Sequence, residues 1–579
     1  MMLNSCPTVR KSSLRRIYAD LTELKEKRIV ESPSAPPEAD RQSEAKGGLR
    51  LIGLLALLCY LPGLATYKML DPTDSFFVET GREMLLAHHY ITPLFNYAPW
   101  LDKPAFPFLL IVAFYKIFGV HAWAARLPSA LSAVALTMCT YSSAARMLTR
   151  RAGFFAGIIL AASPLFCAVG HLALSDEPLA LFIGVALLGF ARALVSDKSE
   201  PLFLPYLSLA LAILCKGPIG LVLSAGILIA YLLISSQTTS DALARLKQLR
   251  VFTGAGILLV VCLPYYLAAH AATDGAFSQE FFFHQNLGRA EGTVNHQQPL
   301  WWYVPVAFFG FFPWTVFLST AGQWFRTLWF ARKERDARQS YLLFCFVWAI
   351  FVLLFFSAIP TKLPTYIVPM SPALAIVVGA YLDYLMVRRD RRRLMISSTT
   401  VLIIALAGLV ACVIFRSDFG FLNTPILSSI SLVMIMLMLS WILLARWRLQ
   451  AAVLTLTLAG YLGCALLVPL SFCQFYKSHQ VGIERLIILS KERGATLGIL
   501  FNTVPSAIFL YEKRIETLNS LDEVAAFSRK GAAPHYLLAT GNCLKIPELK
   551  ATEHTIGQAG KWYLLAIDGY LKENTDSRR

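Results

Sequence analysis

The sequence predicts an all-α polytopic membrane protein with a small α/β domain at its C-terminal end. Three observations predict this. Of the 579 residues, 56% are hydrophobic and only 15% charged, whereas a soluble globular chain is nearer one quarter charged. Apolar runs of membrane-inserting length recur from Leu51 to Phe475. Beyond them, short strand-like segments alternate with one capped helix, the pattern of a soluble fold.

The elements divide into three parts. Residues 1–48 are polar and include "ESPSAPPEADRQSEAKGG", which predicts a largely disordered cytoplasmic tail too polar to be a signal peptide. Residues 49–473 carry about thirteen spans: 50–66, 123–147, 152–170, 177–195, 201–215, 217–234, 251–269, 301–322, 340–359, 366–387, 394–415, 426–445 and 452–472. The run at 104–119 is not counted among them, for a reason of charge. Arg and Lys cluster in the tail, at Arg146/Arg150/Arg151, at Arg245/Lys247/Arg250, from Arg326 to Arg338, from Arg388 to Arg393, and at Arg446/Arg448. If 104–119 lies along the outer face as an interfacial or re-entrant helix, all these tracts share the side of the N-terminus, as the positive-inside rule requires. Residues 474–579 then fall outside as a soluble domain. "ATLGILFN", "RIETLN", "HYLLAT" and "KWYLLAID" predict strands, and "SLDEVAAFSRKG" a helix capped by Ser520 with Glu523 three residues on.

The net charge of +17 does not mark a nucleic-acid binder. The basic residues lie in short tracts between apolar runs, and no nucleic-acid motif accompanies them. Most of the eleven cysteines, Cys59, Cys167 and Cys215 among them, lie within apolar runs, and no CxxC or zinc spacing occurs.

With this topology the unusual polar residues of the apolar part converge on one face. "DPTDSFFVETGREML" predicts a helix that starts after Asp71, with Asp74 in its first turn and Glu79, Arg82 and Glu83 sharing a side. Asp102-Lys103 opens the 104–119 helix. Asp176 enters a span, Lys216 precedes the helix-breaking Gly217-Pro218, "FFFHQNLGRAEGTVNH" offers His284, Asn286, Arg289 and His296, and "IPTKLPTYIVP" offers Lys362 and Tyr366. An ionisable group at membrane depth is costly and is a functional candidate by default. Lys103, Lys216, Arg289 and Lys362 suit a phosphate leaving group, and a carboxylate can orient or deprotonate an acceptor hydroxyl. Asp102 with His284 could hold a divalent metal, zinc or manganese by donor type.

The segments "VETGREML", "LDKPAFPFLL", "FGVHAWAARLPSAL", "LSDEPLALF", "CKGPIGLVL", "FFFHQNLGRAEGTV" and "KLPTYIVPMSP" resemble, in order, those of the polyprenyl-phosphate-dependent GT-C glycosyltransferases, especially the aminoarabinose-transferase and protein-mannosyltransferase group. The resemblance implies a GT-C fold, interfacial helices in the first outer loop, a periplasmic C-terminal domain and a bacterial inner-membrane location. It implies inverting transfer of a sugar from a polyprenyl-phosphate donor to a lipid, glycan or protein acceptor. Catalytic roles would fall on Asp74, Asp176, Lys103 and Lys216, with donor contacts from Arg82, Arg289, Lys362, Tyr366 and Glu79. Two departures stand out. The family's Asp-Glu pair and following Arg-Tyr are here Thr73-Asp74 and Phe76-Phe77. Its metal-associated histidine aligns near Asn286, with His284 two residues earlier. A flippase would need polar residues along the inner halves of the spans as well, and these halves are apolar. A non-catalytic assembly protein is the other alternative.

Overall fold

The computed structural model describes residues 38–196, 200–288, 297–330, 336–414, 424–530, 534–543 and 555–567. Arg289, His296 and most of the predicted N-terminal tail lie outside these residues. The described chain is largely helical, with one five-stranded sheet near its C-terminal end.

In chain order the first helices are α1 (Glu38–Tyr60), α2 (Thr73–Leu86), α3 (Phe106–Phe118), α4 (Ala122–Met147), α5 (Arg150–Ala161), α6 (Pro164–Gly170), α7 (Asp176–Val195), α8 (Phe203–Lys216) and α9 (Ile219–Ser235). The later long helices are α10 (Val251–Ala272), α11 (Ala337–Ala358), α12 (Ser371–Val387), α13 (Arg391–Ile414), α14 (Thr424–Ala445) and α15 (Leu449–His479). Among the described residues seven helical segments are long and apolar enough to cross a membrane, and α5 with α6, bent by 62°, makes an eighth if the pair crosses as one. The bend falls at Ser163, just before Pro164, whose ring cannot continue the α5 hydrogen-bond ladder. The remaining expected spans fall on helical stretches that are shorter, such as α8 and α9, or rich in Ala and Ser, such as α4.

α3 has thirteen residues, so it is roughly 20 Å long, well short of the ~30 Å hydrocarbon core. It buries Phe108, Ile111, Val112 and Tyr115, and the Tyr115 hydroxyl donates to the Val78 carbonyl of α2 at 2.9 Å. α2 and α3 are therefore one packed unit. Small residues set the closest approach in the bundle. A Cβ at Gly379 of α12 would lie 2.7 Å from the Ala156 nitrogen of α5, so only glycine lets these backbones meet, as at many helix pairs in membranes.

After α15 come α16 (Val481–Glu492), β3 (Thr496–Leu500), α17 (Pro505–Tyr511), β4 (Glu516–Leu518), α18 (Leu521–Phe527), β5 (His535–Thr540), β6 (Thr555–Ala559) and β7 (Trp562–Ala566). The sheet order is β4-β3-β5-β7-β6. β3 pairs in parallel with β4 and β5, while β7 runs antiparallel to β5 and β6. Its two faces are separate cores, one with Ile487, Ala507 and Ile508, the other with Val524 and Phe527. The Ser520 hydroxyl caps α18 by accepting from Glu523 N at 3.2 Å. β6 is the strand the sequence pattern left out. "TIGQAG" is short, glycine-interrupted and half-exposed, so it carries little alternation.

The first two strands, β1 (Leu94–Phe95) and β2 (Ala98–Pro99), form a hairpin between α2 and α3. Its turn residues Asn96 and Tyr97 have φ of 55° and 59°, the left-handed conformation at both positions that a type I′ turn requires. The hairpin meets the C-terminal domain. Asn96 Nδ2 donates to the Ile515 carbonyl at 2.7 Å, and Ile515 N donates back to Asn96 Oδ1 at 2.9 Å.

Candidate active site

Four separated segments converge on a cavity of about 250 Å³. Asp102, Lys103 and Pro104 come from the entry to α3, Asp176 and Leu179 from α7, and Lys216 and Pro218 from the α8–α9 corner. Thr361, Thr365 and Tyr366 come from the loop after α11 and the 3₁₀ turn Pro364–Met370. Phe281, Gln285 and Asn286, on a π-helical stretch at Gln279–Leu287, close a further wall, and Val222, Phe355 and Phe356 make an apolar one.

Local chemistry places each polar group. Asp176 is the first residue of α7, where the helix dipole favours a carboxylate. Lys216 is the last residue of α8, where a cation is favoured for the same reason. The two ends meet: Lys216 Nζ lies 2.7 Å from Asp176 Oδ1. Thr365 lines the cavity beside Asp176, and Lys103 is close enough to act on Asp176 electrostatically. The Lys216 ammonium lies 4.8 Å from the Tyr366 ring centroid, and Tyr366 packs on Phe356 at 5.3 Å. Gly217 has φ +78°, and a Cβ there would sit 2.4 Å from the Phe281 ring. The turn that presents Lys216 thus needs glycine both for its conformation and for space.

Lys103, Lys216, Asp176, Asp102 and Tyr366 are therefore brought together. The other predicted site residues stand elsewhere. Asp74, 2% exposed, is held in a buried pair by Arg126 through Nε at 3.1 Å and Nη2 at 2.6 Å. Glu79 and Arg82 form a buried two-pronged pair at 2.8 and 2.6 Å, and Arg82 reaches the Tyr97 hydroxyl at 3.1 Å. Burial, with the Glu83 carboxylate close by, pushes Glu79 up to about 8 against the pull of Arg82. The Lys362 ammonium is buried and donates to the carbonyls of Gln298, Ile359 and Pro360, closing the loop that carries Thr361 and Thr365. Burial lowers its pKa.

His284 is exposed and bonds Glu280 at 2.9 Å, while Asp102 lines the cavity. Among the described residues no three His, Cys, Asp or Glu side chains gather where a metal ion could bind. The described donors, Asp102 and an exposed His284 already paired with Glu280, do not by themselves fit a metal centre.

Sequence reasoning passed over Arg126, Thr365 and Gln285. Arg126 carried a usable signal, an arginine inside an apolar helix. Thr365 and Gln285 carried none, because neither residue type is unusual in a loop or at a membrane surface.

Residues 102–267 match the family described as dolichyl-phosphate-mannose-protein mannosyltransferase. The chain is 27% identical over 496 residues, 82% of each chain, to an undecaprenyl phosphate-α-4-amino-4-deoxy-L-arabinose arabinosyl transferase of Pseudomonas fluorescens. It is 27% identical over 519 residues to the enzyme so named in Pectobacterium carotovorum, covering 84% of this chain and 89% of that one. In fold it is similar to ArnT from Cupriavidus metallidurans, crystallised bound to undecaprenyl phosphate, with a TM-score of 0.75 over 90% of this chain and 99% of that one at 22% identity. The motif order, the matching family and the shared architecture agree: the chain resembles the polyprenyl-phosphate-dependent GT-C glycosyltransferases and is a membrane glycosyltransferase of the GT-C type.

Proposed function

We propose that the chain transfers a sugar from a polyprenyl-phosphate donor to a lipid, glycan or protein acceptor at the outer face of a bacterial inner membrane. By analogy with the relatives, 4-amino-4-deoxy-L-arabinose on undecaprenyl phosphate is the first donor to test. The N-terminus would face the cytoplasm and the C-terminal domain, residues 474–579, the periplasm. The observation that supports this most is the cavity itself, where two lysines and a carboxylate from separate segments meet beside an apolar wall. A phosphate with a prenyl tail needs that pairing of cation and grease.

In this reading the donor phosphate draws Lys216 away from Asp176 and also meets Lys103. The acceptor oxygen attacks the anomeric carbon from the face opposite the phosphate. The sugar–phosphate C–O bond breaks, its electron pair leaves with the polyprenyl phosphate, and the configuration inverts. Charge growing on the leaving phosphate is stabilised by the two ammonium groups. Asp176, released from Lys216, accepts the proton of a hydroxyl acceptor; an already ionised phosphate acceptor needs no base. Tyr366 holds Lys216, and Lys362 shapes the loop that carries Thr361, Thr365 and Tyr366. Asp74, Glu79 and Arg82 act as supports of the first loop, and Arg289 would add a further cation.

The test is release of undecaprenyl phosphate from labelled donor in membranes carrying the chain. Lys103→Ala and Lys216→Ala should each lower turnover by about 10²-fold or more, the scale of losing a charge-stabilising donor. Wild-type turnover in both variants would refute the assignment.

A further inference from the structure

The Lys103 ammonium lies 4.5 Å from the centroid of Phe77 and 5.4 Å from that of Phe76. These are the two rings that stand where the resembling family carries Arg-Tyr. An arginine at 76 would repel the ammonium, whereas a ring attracts it through the negative face of its π-system. Lysine has a flexible four-carbon stem and many rotamers. A ring face restricts that freedom and leaves the positive charge intact for an anion.

The rings are themselves fixed. Phe77 is 1% exposed and stacks on Phe108 of α3 at 5.0 Å. Phe76 meets Phe95 at 4.8 Å and Trp100 at 5.2 Å. Phe95 belongs to the buried core of the C-terminal domain, and Phe76 and Trp100 pack against that core. The hairpin that carries Phe95 is tied down by the paired Asn96–Ile515 hydrogen bonds. A continuous set of contacts thus runs from the C-terminal sheet domain to the lysine of the cavity.

We propose that Phe76 and Phe77 are positioning residues that hold the Lys103 ammonium towards the donor phosphate, and that the docked C-terminal domain keeps their rings in place through Phe95 and the hairpin. This rests on the reading of Lys103 as a phosphate-binding group. It also gives a domain with no catalytic residue of its own a part in the reaction.

The test is the affinity of the full-length purified chain for undecaprenyl phosphate, with thermal midpoints recorded in parallel. Phe77→Leu and Phe76→Leu keep apolar bulk but remove the ring, and each should weaken binding roughly three- to thirty-fold, the range of a cation–π contact. Phe77→Tyr keeps the ring face and should bind within about twofold of wild type. In a Lys103→Ala background, Phe77→Leu should cause no further loss, since its effect passes through Lys103. Asn96→Gly, which keeps the turn and removes both hydrogen bonds to Ile515, should weaken binding only when Lys103 is present. Wild-type affinity in both ring variants, or an equal loss with and without Lys103, would overturn the platform. An unchanged Asn96→Gly would overturn the domain's part in it. If Lys103→Ala itself binds and turns over as wild type, the failure lies with the functional reading, and the two failures are distinct.

Discussion

Asp74→Asn separates a support from a catalytic base. Asp74 accepts hydrogen bonds from Leu70 N at 3.1 Å and Ala173 N at 2.8 Å besides the two from Arg126. Arg126, fully buried, also donates to the carbonyls of Leu64, Tyr67 and Lys68 at 2.6, 3.0 and 2.7 Å. The pair therefore ties the chain before α2 to α4 and to the segment that leads into α7. Asparagine preserves volume and one accepting oxygen, but it turns an amide NH₂ towards the guanidinium and leaves a buried charge unpaired. Breaking one side of such a pair costs about 3–5 kcal/mol. For a chain of this size that is a fall in thermal midpoint on the order of 5 °C, because the shift per kcal/mol shrinks as the unfolding entropy grows. Turnover per folded molecule should stay within about threefold of wild type. Loss of a general base would instead cost about 10²–10⁴-fold. The assay is donor turnover normalised to folded protein, with the midpoint measured on the same sample. An unchanged midpoint with turnover down a hundredfold would refute the structural role of Asp74.

Two further outcomes follow from the first outer loop. Glu79 has its pKa raised to about 8 by burial and by Glu83; between its ordinary carboxylate value and about 8 the folded chain holds a proton that the unfolded chain has released. Stability should therefore fall as pH rises through that window and level off above it, and Glu79→Gln should flatten the slope in pH-dependent melting; a slope unchanged by the substitution would assign it to another group. Asp71 accepts from the Ser506 backbone NH at 2.9 Å and from the hydroxyls of Ser506 and Ser75, so it pins the start of α17 to the first loop. Bonds to a charged acceptor contribute about 1.5–3 kcal/mol each, and Asp71→Ala should speed hydrogen exchange in α17 roughly ten- to a hundred-fold, with protection unchanged if the bonds carry no weight.

The architecture was legible because its causes are local. Hydrophobic run length, proline and glycine breaks and the capped helix at Ser520 are properties of neighbouring residues. The placement of the 104–119 segment along the outer face rests on the distribution of charge alone, and the helix there, α3, has thirteen residues. β6 escaped because a glycine-interrupted edge strand has no alternation to read. Asp102, Lys103, Asp176, Lys216 and Tyr366 could be singled out because ionisable or aromatic groups next to helix breaks in an apolar chain are conspicuous.

What each of those groups touches was decided elsewhere. Asp74 and Asp176 look alike in sequence, each an acid at the start of a helix in an outer segment. One meets Arg126 from a helix fifty-two residues on; the other meets Lys216 at the lip of a cavity. The sequence determined which residues are expensive to keep in a membrane, because that cost depends on the side chain and its immediate run of neighbours. Only the tertiary structure decided which of them were satisfied as supports and which were gathered into a site, because pairing across forty or more residues depends on helix packing that no local pattern encodes.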